Sequence, residues 1–236
     1  MRALNCPNCG AALPARIIKM DVATCEFCGT SFRIAKSLTP EPDMGDLLLG
    51  ADFGDKIMPG WEAMNEDRLS FHKGSTPELH CRFEPHPNSY YVLRSSGLLD
   101  NFDISVNIKL TEGEREWIRA GVYTRFSPEG GYGFLVSAQA SYTFGYFAKD
   151  EKGELAFFKL MAWTTHTALR SGVNETNRLR VICNEENFRV YLNGVLAASF
   201  KDEKFKMGKL YLAAEPSEKS VIGVVFSDLQ LREVLQ

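Results

Sequence analysis

The chain has no apolar run approaching the roughly 20 residues that cross a bilayer as a helix, so no membrane span is expected. The first ligand-type cysteine, Cys6, comes too early to leave room for the apolar stretch of a signal peptide, and the expected compartment is the cytoplasm. Histidine is scarce. The four present are His72, His80, His86 and His166, and none falls in an HExxH spacing. His72, His80 and His86 lie near one another, but Pro77, Pro85 and Pro87 read as irregular loop and give a second metal site little support. A G-x-S-x-G nucleophile elbow and a phosphate-cradling loop are both missing. Gly130-Gly131-Tyr132-Gly133 reads instead as a hairpin turn running into a strand. Amphipathic helix longer than about two turns is also lacking, which points away from bundles and doubly wound α/β folds.

What remains is an ordinary globular composition of 236 residues, 44% hydrophobic and 24% charged, with net charge −3. That length suits one large domain with a small one. The sharpest chemical signal is a repeated CxxCG unit, Cys6-Pro7-Asn8-Cys9-Gly10 and Cys25-Glu26-Phe27-Cys28-Gly29, with fifteen residues between the inner cysteines. Two thiolates three positions apart grip one face of a metal, and two such knuckles close a tetrahedral four-sulfur shell. Cys6, Cys9, Cys25 and Cys28 are therefore the expected ligands of one structural Zn²⁺ per chain. Gly10 and Gly29 supply the positive φ that lets backbone N–H groups turn toward the sulfurs. Four reduced thiolates also fit a reducing compartment.

A zinc ribbon over residues 1–36 follows from this spacing, with Phe32 and Ile34 alternating as a short strand after the second knuckle. So small a unit buries too little core to fold without its metal. The four-cysteine pattern specifies metal and leaves the partner open. Five basic residues against two acidic ones give the segment +3, and a four-thiolate zinc centre contributes −2, which is weak footing for nucleic acid. Residues 37–46, with Pro40, Pro42 and three acids, read as a linker. The last two cysteines, Cys81 and Cys183, sit on the apolar parity of alternating stretches and read as core.

From residue 47 to 236 the pattern is β. Phe102, Ile104, Val106, Ile108 and Leu110 share one face, and Ile118, Ala120, Val122, Thr124 and Phe126 are expected to share another. Tyr132, Phe134 and Val136 follow, then Tyr142, Phe144 and Tyr146. A hairpin turns near Asn184–Asn187, and Asn193-Gly194 predicts a type I′ turn. Many strands with turns every 8–12 residues indicate a sandwich or barrel. Ala51-Asp52-Phe53-Gly54-Asp55 with Gly60-Trp61, Ala120 to Phe126, Gly131-Tyr132-Gly133-Phe134, Asn177 to Val181, Phe188 to Gly194 and Phe226 to Leu231 carry a resemblance. In these stretches the chain resembles the concanavalin A-like lectin/glucanase superfamily, including its laminin G-like and 3-keto-disaccharide hydrolase-like branch. The resemblance covers roughly residues 47–234. It implies a mainly β jelly roll of two antiparallel sheets whose concave face often holds ligand.

Glucanases of that superfamily carry an E-x-D-x-x-E or E-x-D-x-E strand, and this sequence has none. Its acids gather at Glu112–Glu116, Asp150–Glu154 and Asp202–Glu203, beside lysine, arginine or glycine, as solvated turns do. No enzyme activity is expected, and a hydrolase acting on sugar derivatives ranks last. No Asp/Asn cluster matches lectin calcium ligands. Candidate sugar contacts are Tyr142, Phe144 and Tyr146 as one stripe, Trp163 with His166, and Arg119, Tyr123 and Arg125 opposite Val122. The Trp163, His166, Leu169, Gly172, Asn177 spacing also resembles a structural element of the superfamily. The expected function is noncatalytic recognition, with the ribbon as docking tip and the sandwich binding protein or glycan. Self-assembly through ribbon and sandwich edges is the alternative. A cytoplasmic setting favours a protein partner over a glycan.

Overall fold

The computed structural model describes residues 11, 22–24, 26–28, 31–33, 44–51, 53, 59–73, 75–86, 90–215 and 218–234. The chain divides into two compact units, Met1–Pro42 and Asp43–Gln236. In the first, β1 (Val22–Thr24) pairs antiparallel with β2 (Ser31–Arg33), Val22 opposite Arg33 and Thr24 opposite Ser31. Residues 25–30, which contain the second CxxC knuckle, connect them.

The second unit is built of strands. In chain order they are β3 (Leu47–Ala51), β4 (Trp61–Ala63), β5 (Leu69–His72), β6 (Glu78–Phe83), β7 (Tyr90–Ser95), β8 (Phe102–Glu112), β9 (Arg119–Ser127) and β10 (Gly130–Ser137). Then come β11 (Ser141–Lys149), β12 (Leu155–Thr165), β13 (Thr176–Asn184), β14 (Asn187–Leu192), β15 (Val195–Lys201), β16 (Lys209–Glu215) and β17 (Ile222–Arg232). Among the described residues, helix is limited to one 3-10 turn, Glu66–Arg68, and no helix is long and apolar enough to cross a membrane.

Two antiparallel sheets result, packed face to face as a jelly-roll sandwich. One has seven strands in the order β12-β11-β10-β9-β16-β7-β4; the other has eight, β15-β14-β13-β8-β17-β6-β5 with β3 also on β17. Non-consecutive neighbours such as β9-β16 and β8-β17 bring distant segments side by side. Between the sheets lies one core, with Ile104, Val106, Val181 and Val224 from one sheet meeting Val122, Phe134 and Leu212 from the other, each at most 1% exposed. Fully burying an aliphatic or aromatic side chain of this kind contributes about 1.5–3 kcal/mol. Cys81 and Cys183 are buried in the same core, and burial pushes the Cys183 thiol up to about 12, so it stays protonated. The hairpin chemistry read from sequence is present: Asn193 and Gly194 have φ of 49° and 80°, the left-handed pair that a type I′ turn requires.

One alternation breaks. Ile118, Ala120 and Val122 face the core as expected, but Arg125 takes φ 49° and the β9–β10 register shifts between Gly130 and Tyr132. This bulge sets two residues of β9 against one of β10 and reverses the parity beyond it. Phe126 therefore leaves the core side and joins a separate cluster with Tyr123, Leu135 and Ala213.

Candidate functional site

That second cluster lies on the face of the seven-stranded sheet turned away from the core. Its organising feature is a lateral row, one residue from each strand. Glu62 pairs with Arg94, Arg94 with Tyr211, Tyr211 with Tyr123, Tyr123 with Gly133, Gly133 with Gly145, and Gly145 with Lys159. Charges flank the row, two tyrosines occupy its middle, and two adjacent glycines open a gap. Phe147 and Phe157 lean into this gap from the neighbouring position. A Cβ placed on Gly133 would come 2.9 Å from Phe147, 3.3 Å from Phe157 and 3.4 Å from Tyr123, all ring atoms. Glycine at 133 is thus what allows aromatic rings to lie over the sheet.

The rings form a continuous surface. Centroids are 4.8 Å apart for Tyr123 and Phe147, 4.8 Å for Phe147 and Phe157, and 5.0 Å for Tyr91 and Tyr211. These are the offset and tilted spacings that aromatic quadrupoles favour. Trp163 packs against the same cluster, and the Arg119 guanidinium carbon stands 5.4 Å from its ring centroid. Tyr91, Phe147, Phe157, Trp163 and Tyr211 are partly exposed, so their surfaces reach solvent.

Only two carboxylates occur on the seven strands, Glu62 and Glu215. Arg94 donates from Nε to Glu62 at 2.9 Å and makes a second contact through Nη2; that hydrogen bond holds the Glu62 carboxyl below its ordinary value. Tyr123 donates its hydroxyl to Glu215 at 2.6 Å, and Arg119 approaches the other Glu215 oxygen at 3.9 Å. Burial, then Tyr211 and Glu215, push the Tyr91 hydroxyl up, so it remains a neutral donor.

The residues singled out in the sequence divide between this face and other places. Arg119, Tyr123 and Trp163 are here. Arg125 is not: the bulge turns it inward, where it donates to the carbonyls of Asp100, Glu185 and Phe205 at 2.6–3.0 Å. Tyr142, Phe144 and Tyr146 belong to the core side, with Phe144 stacked on Phe200 at 4.5 Å, so their stripe is packing and not a ligand platform. His166 separates from Trp163 and meets the edge of the Tyr142 ring at 5.9 Å. Asn177 closes a turn, accepting from the Arg170 N–H and donating to its carbonyl. His72 and His80 do come together on β5 and β6, but as stacked rings 3.9 Å apart, with His80 on Glu78. Tyr91, Tyr211, Phe147 and Phe157 were not singled out, and Phe147 and Phe157 lie in runs without clean alternation, where the outward parity has no signal.

Cys6, Cys9 and Cys25 lie outside the described residues. Cys28 is exposed in the turn 26–28, next to Phe27, which is 75% exposed. Among the described residues no group of three or more His, Cys, Asp or Glu side chains is placed to hold a metal ion.

No family model matches the chain, and no curated protein is similar to it in sequence. Solved structures share its fold. The carbohydrate binding module CBM66 from Bacillus subtilis superposes with a TM-score of 0.52 at 18% identity, over 75% of this chain and 97% of that one. The Bacillus licheniformis β-glucanase gives 0.55 at 12% identity, covering 79% and 98%. A Bacteroides ovatus mixed-linkage glucan enzyme of glycoside hydrolase family 16, in complex with a glucan product, gives 0.56 at 11% identity, covering 78% and 100%. At these identities the likeness defines the fold, which hosts both binding modules and hydrolases.

Proposed function

We propose that the sandwich is a noncatalytic carbohydrate-recognition module whose ligand lies across the outer face of the seven-stranded sheet. The observation that carries this reading is the row in which Tyr211 and Tyr123 stand beside Gly133 and Gly145, with Phe147 and Phe157 folded over the gap. Sugar rings present apolar C–H faces, and partly exposed aromatic surface with hydrogen-bonding side chains at its margins matches them. The likeness to a carbohydrate binding module supports the reading at the level of fold.

Hydrolysis finds less support. Glu62 shares its row with Tyr211, whereas Glu215 lies four positions along β16, about 13 Å away, and two strands across. Retaining glycosidases hold their carboxyls about 5–5.5 Å apart and inverting ones about 6.5–9.5 Å. Each of the two is also engaged by an arginine or tyrosine.

For the N-terminal unit the same reading keeps a zinc ribbon with Cys6, Cys9, Cys25 and Cys28 as ligands. The β1–β2 pairing brackets a loop of the length a knuckle needs, and exposed Phe27 gives that loop an apolar tip suited to docking. Titration calorimetry of the full chain against soluble polysaccharides tests the sandwich. Binding that weakens at least tenfold on Trp163→Ala is expected, and no binding to any polysaccharide would sink the reading. Metal analysis tests the ribbon, with one zinc per chain expected and its loss on Cys25→Ser.

A further inference from the structure

The face just described carries unspent positive charge. Its strands direct Arg94, Arg119, Lys149, Lys159 and Lys209 outward against Glu62 and Glu215, with Glu129 of the adjoining turn holding Lys149 at 3.1 Å. Five cations against three carboxylates leave +2 on one face of a chain whose net charge is −3. Arg94 and Lys209 both serve Glu62. The other two cations, Arg119 and Lys159, take no carboxylate hydrogen bond among the described residues.

The Arg119 side chain makes no hydrogen bond among the described residues. Its one carboxylate contact among them is the ion pair of Nη1 with a Glu215 oxygen at 3.9 Å, too long for a hydrogen bond, and its guanidinium rests beside the Trp163 ring with 32% of the side chain exposed. Lys159 is exposed at the far end of the glycine row and has no ion pair among the described residues. A guanidinium without a side-chain hydrogen bond, 5.4 Å from an indole centroid, is a fork for a carboxylate or sulfate next to a stacking plate. Four residues along β9 separate the Arg119 position from the Tyr123 row, and three interstrand spacings separate β9 from β12. The two cations are therefore about 20 Å apart by strand geometry. A single acidic group cannot touch both.

We propose that the ligand of this face is an anionic polysaccharide, one acidic group received by Arg119 beside Trp163 and a later one along the chain by Lys159. This rests on the outer face being the saccharide site. Carboxylate and sulfate share the chemistry, and the test separates them.

The full chain is titrated calorimetrically with polygalacturonate, dextran sulfate and neutral dextran at low and moderate salt. At least one acidic polymer is expected to bind tenfold or more tightly than dextran, and tenfold or more tightly than galacturonate monomer. Its affinity should fall as salt rises. Arg119→Gln should cost about tenfold on the acidic polymer, Arg119→Lys should recover part of it through charge without the fork, and Lys159→Gln should cost less than Arg119→Gln. Preference for polygalacturonate assigns the group as carboxylate, and preference for dextran sulfate assigns it as sulfate. Dextran binding as well as either acidic polymer would overturn the anionic inference while leaving the face reading in place, provided Trp163→Ala weakens it. Acidic-polymer binding untouched by both Arg119→Gln and Lys159→Gln would also overturn the inference. Failure of both acidic polymers to bind would overturn the anionic inference, while the face reading falls only if no polysaccharide binds at all.

Discussion

On the outer face of the eight-stranded sheet, charge is matched with charge: Arg180 grips Asp103 through Nε at 2.7 Å and Nη2 at 2.5 Å, Arg178 reaches Asp228 at 2.5 Å, and Lys109 reaches Glu78 at 3.0 Å. On the outer face of the seven-stranded sheet, aromatic rings dominate, Arg119 comes no nearer than 3.9 Å to Glu215, and Lys159 has no ion pair among the described residues. Both faces belong to one sandwich and share one core. The difference separates charges that hold the fold from charges kept available. Buried ions without partners are very costly, so Arg180, 2% exposed, must be satisfied internally. Half-exposed ones can wait for a ligand.

The largest effect that tests this division falls on Asp103. Asp103→Ala strips a bidentate carboxylate from a buried guanidinium and should destabilise the protein by roughly 3–5 kcal/mol. Urea unfolding would measure it. Arg119→Gln, removing a charge of the aromatic face, should by contrast change stability by no more than about 0.5 kcal/mol. Equal costs for the two substitutions would abolish the distinction.

A glycine pair sharpens the same contrast within the aromatic face. A Cβ on Gly121 would sit 1.9 Å from the Phe134 carbonyl oxygen, which is backbone and cannot yield. Gly121→Ala should therefore disrupt the sheet and lower stability by at least about 1–3 kcal/mol, as overpacking does. Gly133→Ala meets only the outer edges of Phe147, Phe157 and Tyr123, whose rings can swing aside. Stability should stay within about 1 kcal/mol, partly because alanine restricts the unfolded chain. Polysaccharide affinity should nonetheless fall severalfold as the rings move. Thermal melts paired with titrations would separate a variant that damages the sheet from one that damages the platform.

How much of this was legible beforehand depends on the length of regular alternation. The runs Phe102 to Leu110 and Leu179 to Cys183 alternate without interruption, so their strands, their core face and the burial of Cys183 could be read directly. The aromatic platform could not. Gly145 in β11 leaves no side chain to mark its face, and β12 has two register shifts against β11, so Leu155-Ala156-Phe157-Phe158-Lys159-Leu160-Met161-Ala162-Trp163 shows no period of two. Parity reasoning failed at Arg125 because the bulge here puts that residue at φ 49°, and arginine gives no hint of it. The stripe Tyr142, Phe144, Tyr146 was legible as one face, but which side that face takes depends on the partner sheet. The row from Glu62 to Lys159 joins strands distant in sequence, and only lateral register reveals it.

The mildest test is in pH, where a histidine beside one sheet and a carboxylate of the other should respond in different windows. His166, at the end of β12, is half-buried against Tyr142 and accepts from the Ala168 N–H at Nδ1, 3.2 Å away; burial holds its imidazole below the ordinary value. The folded state thus keeps His166 neutral at a pH where the unfolded chain has begun to protonate it, near 6.5. The unfolded state then binds more protons, and stability falls as pH drops below that value toward the folded one. On the other sheet, burial pushes the Glu78 carboxyl up, but hydrogen bonds from His80 and Lys109 carry it below the ordinary 4.5. Its contribution is present above 4.5 and is lost as pH falls through the lower folded value. Melting temperature followed from pH 7 downward should therefore decline in two stages. His166→Asn, which keeps an acceptor for the Ala168 N–H, should flatten the upper stage alone, and Glu78→Gln should reduce only the lower one, to which Glu62 also contributes. A single decline, altered alike by both substitutions, would mean that His166 and Glu78 do not titrate independently.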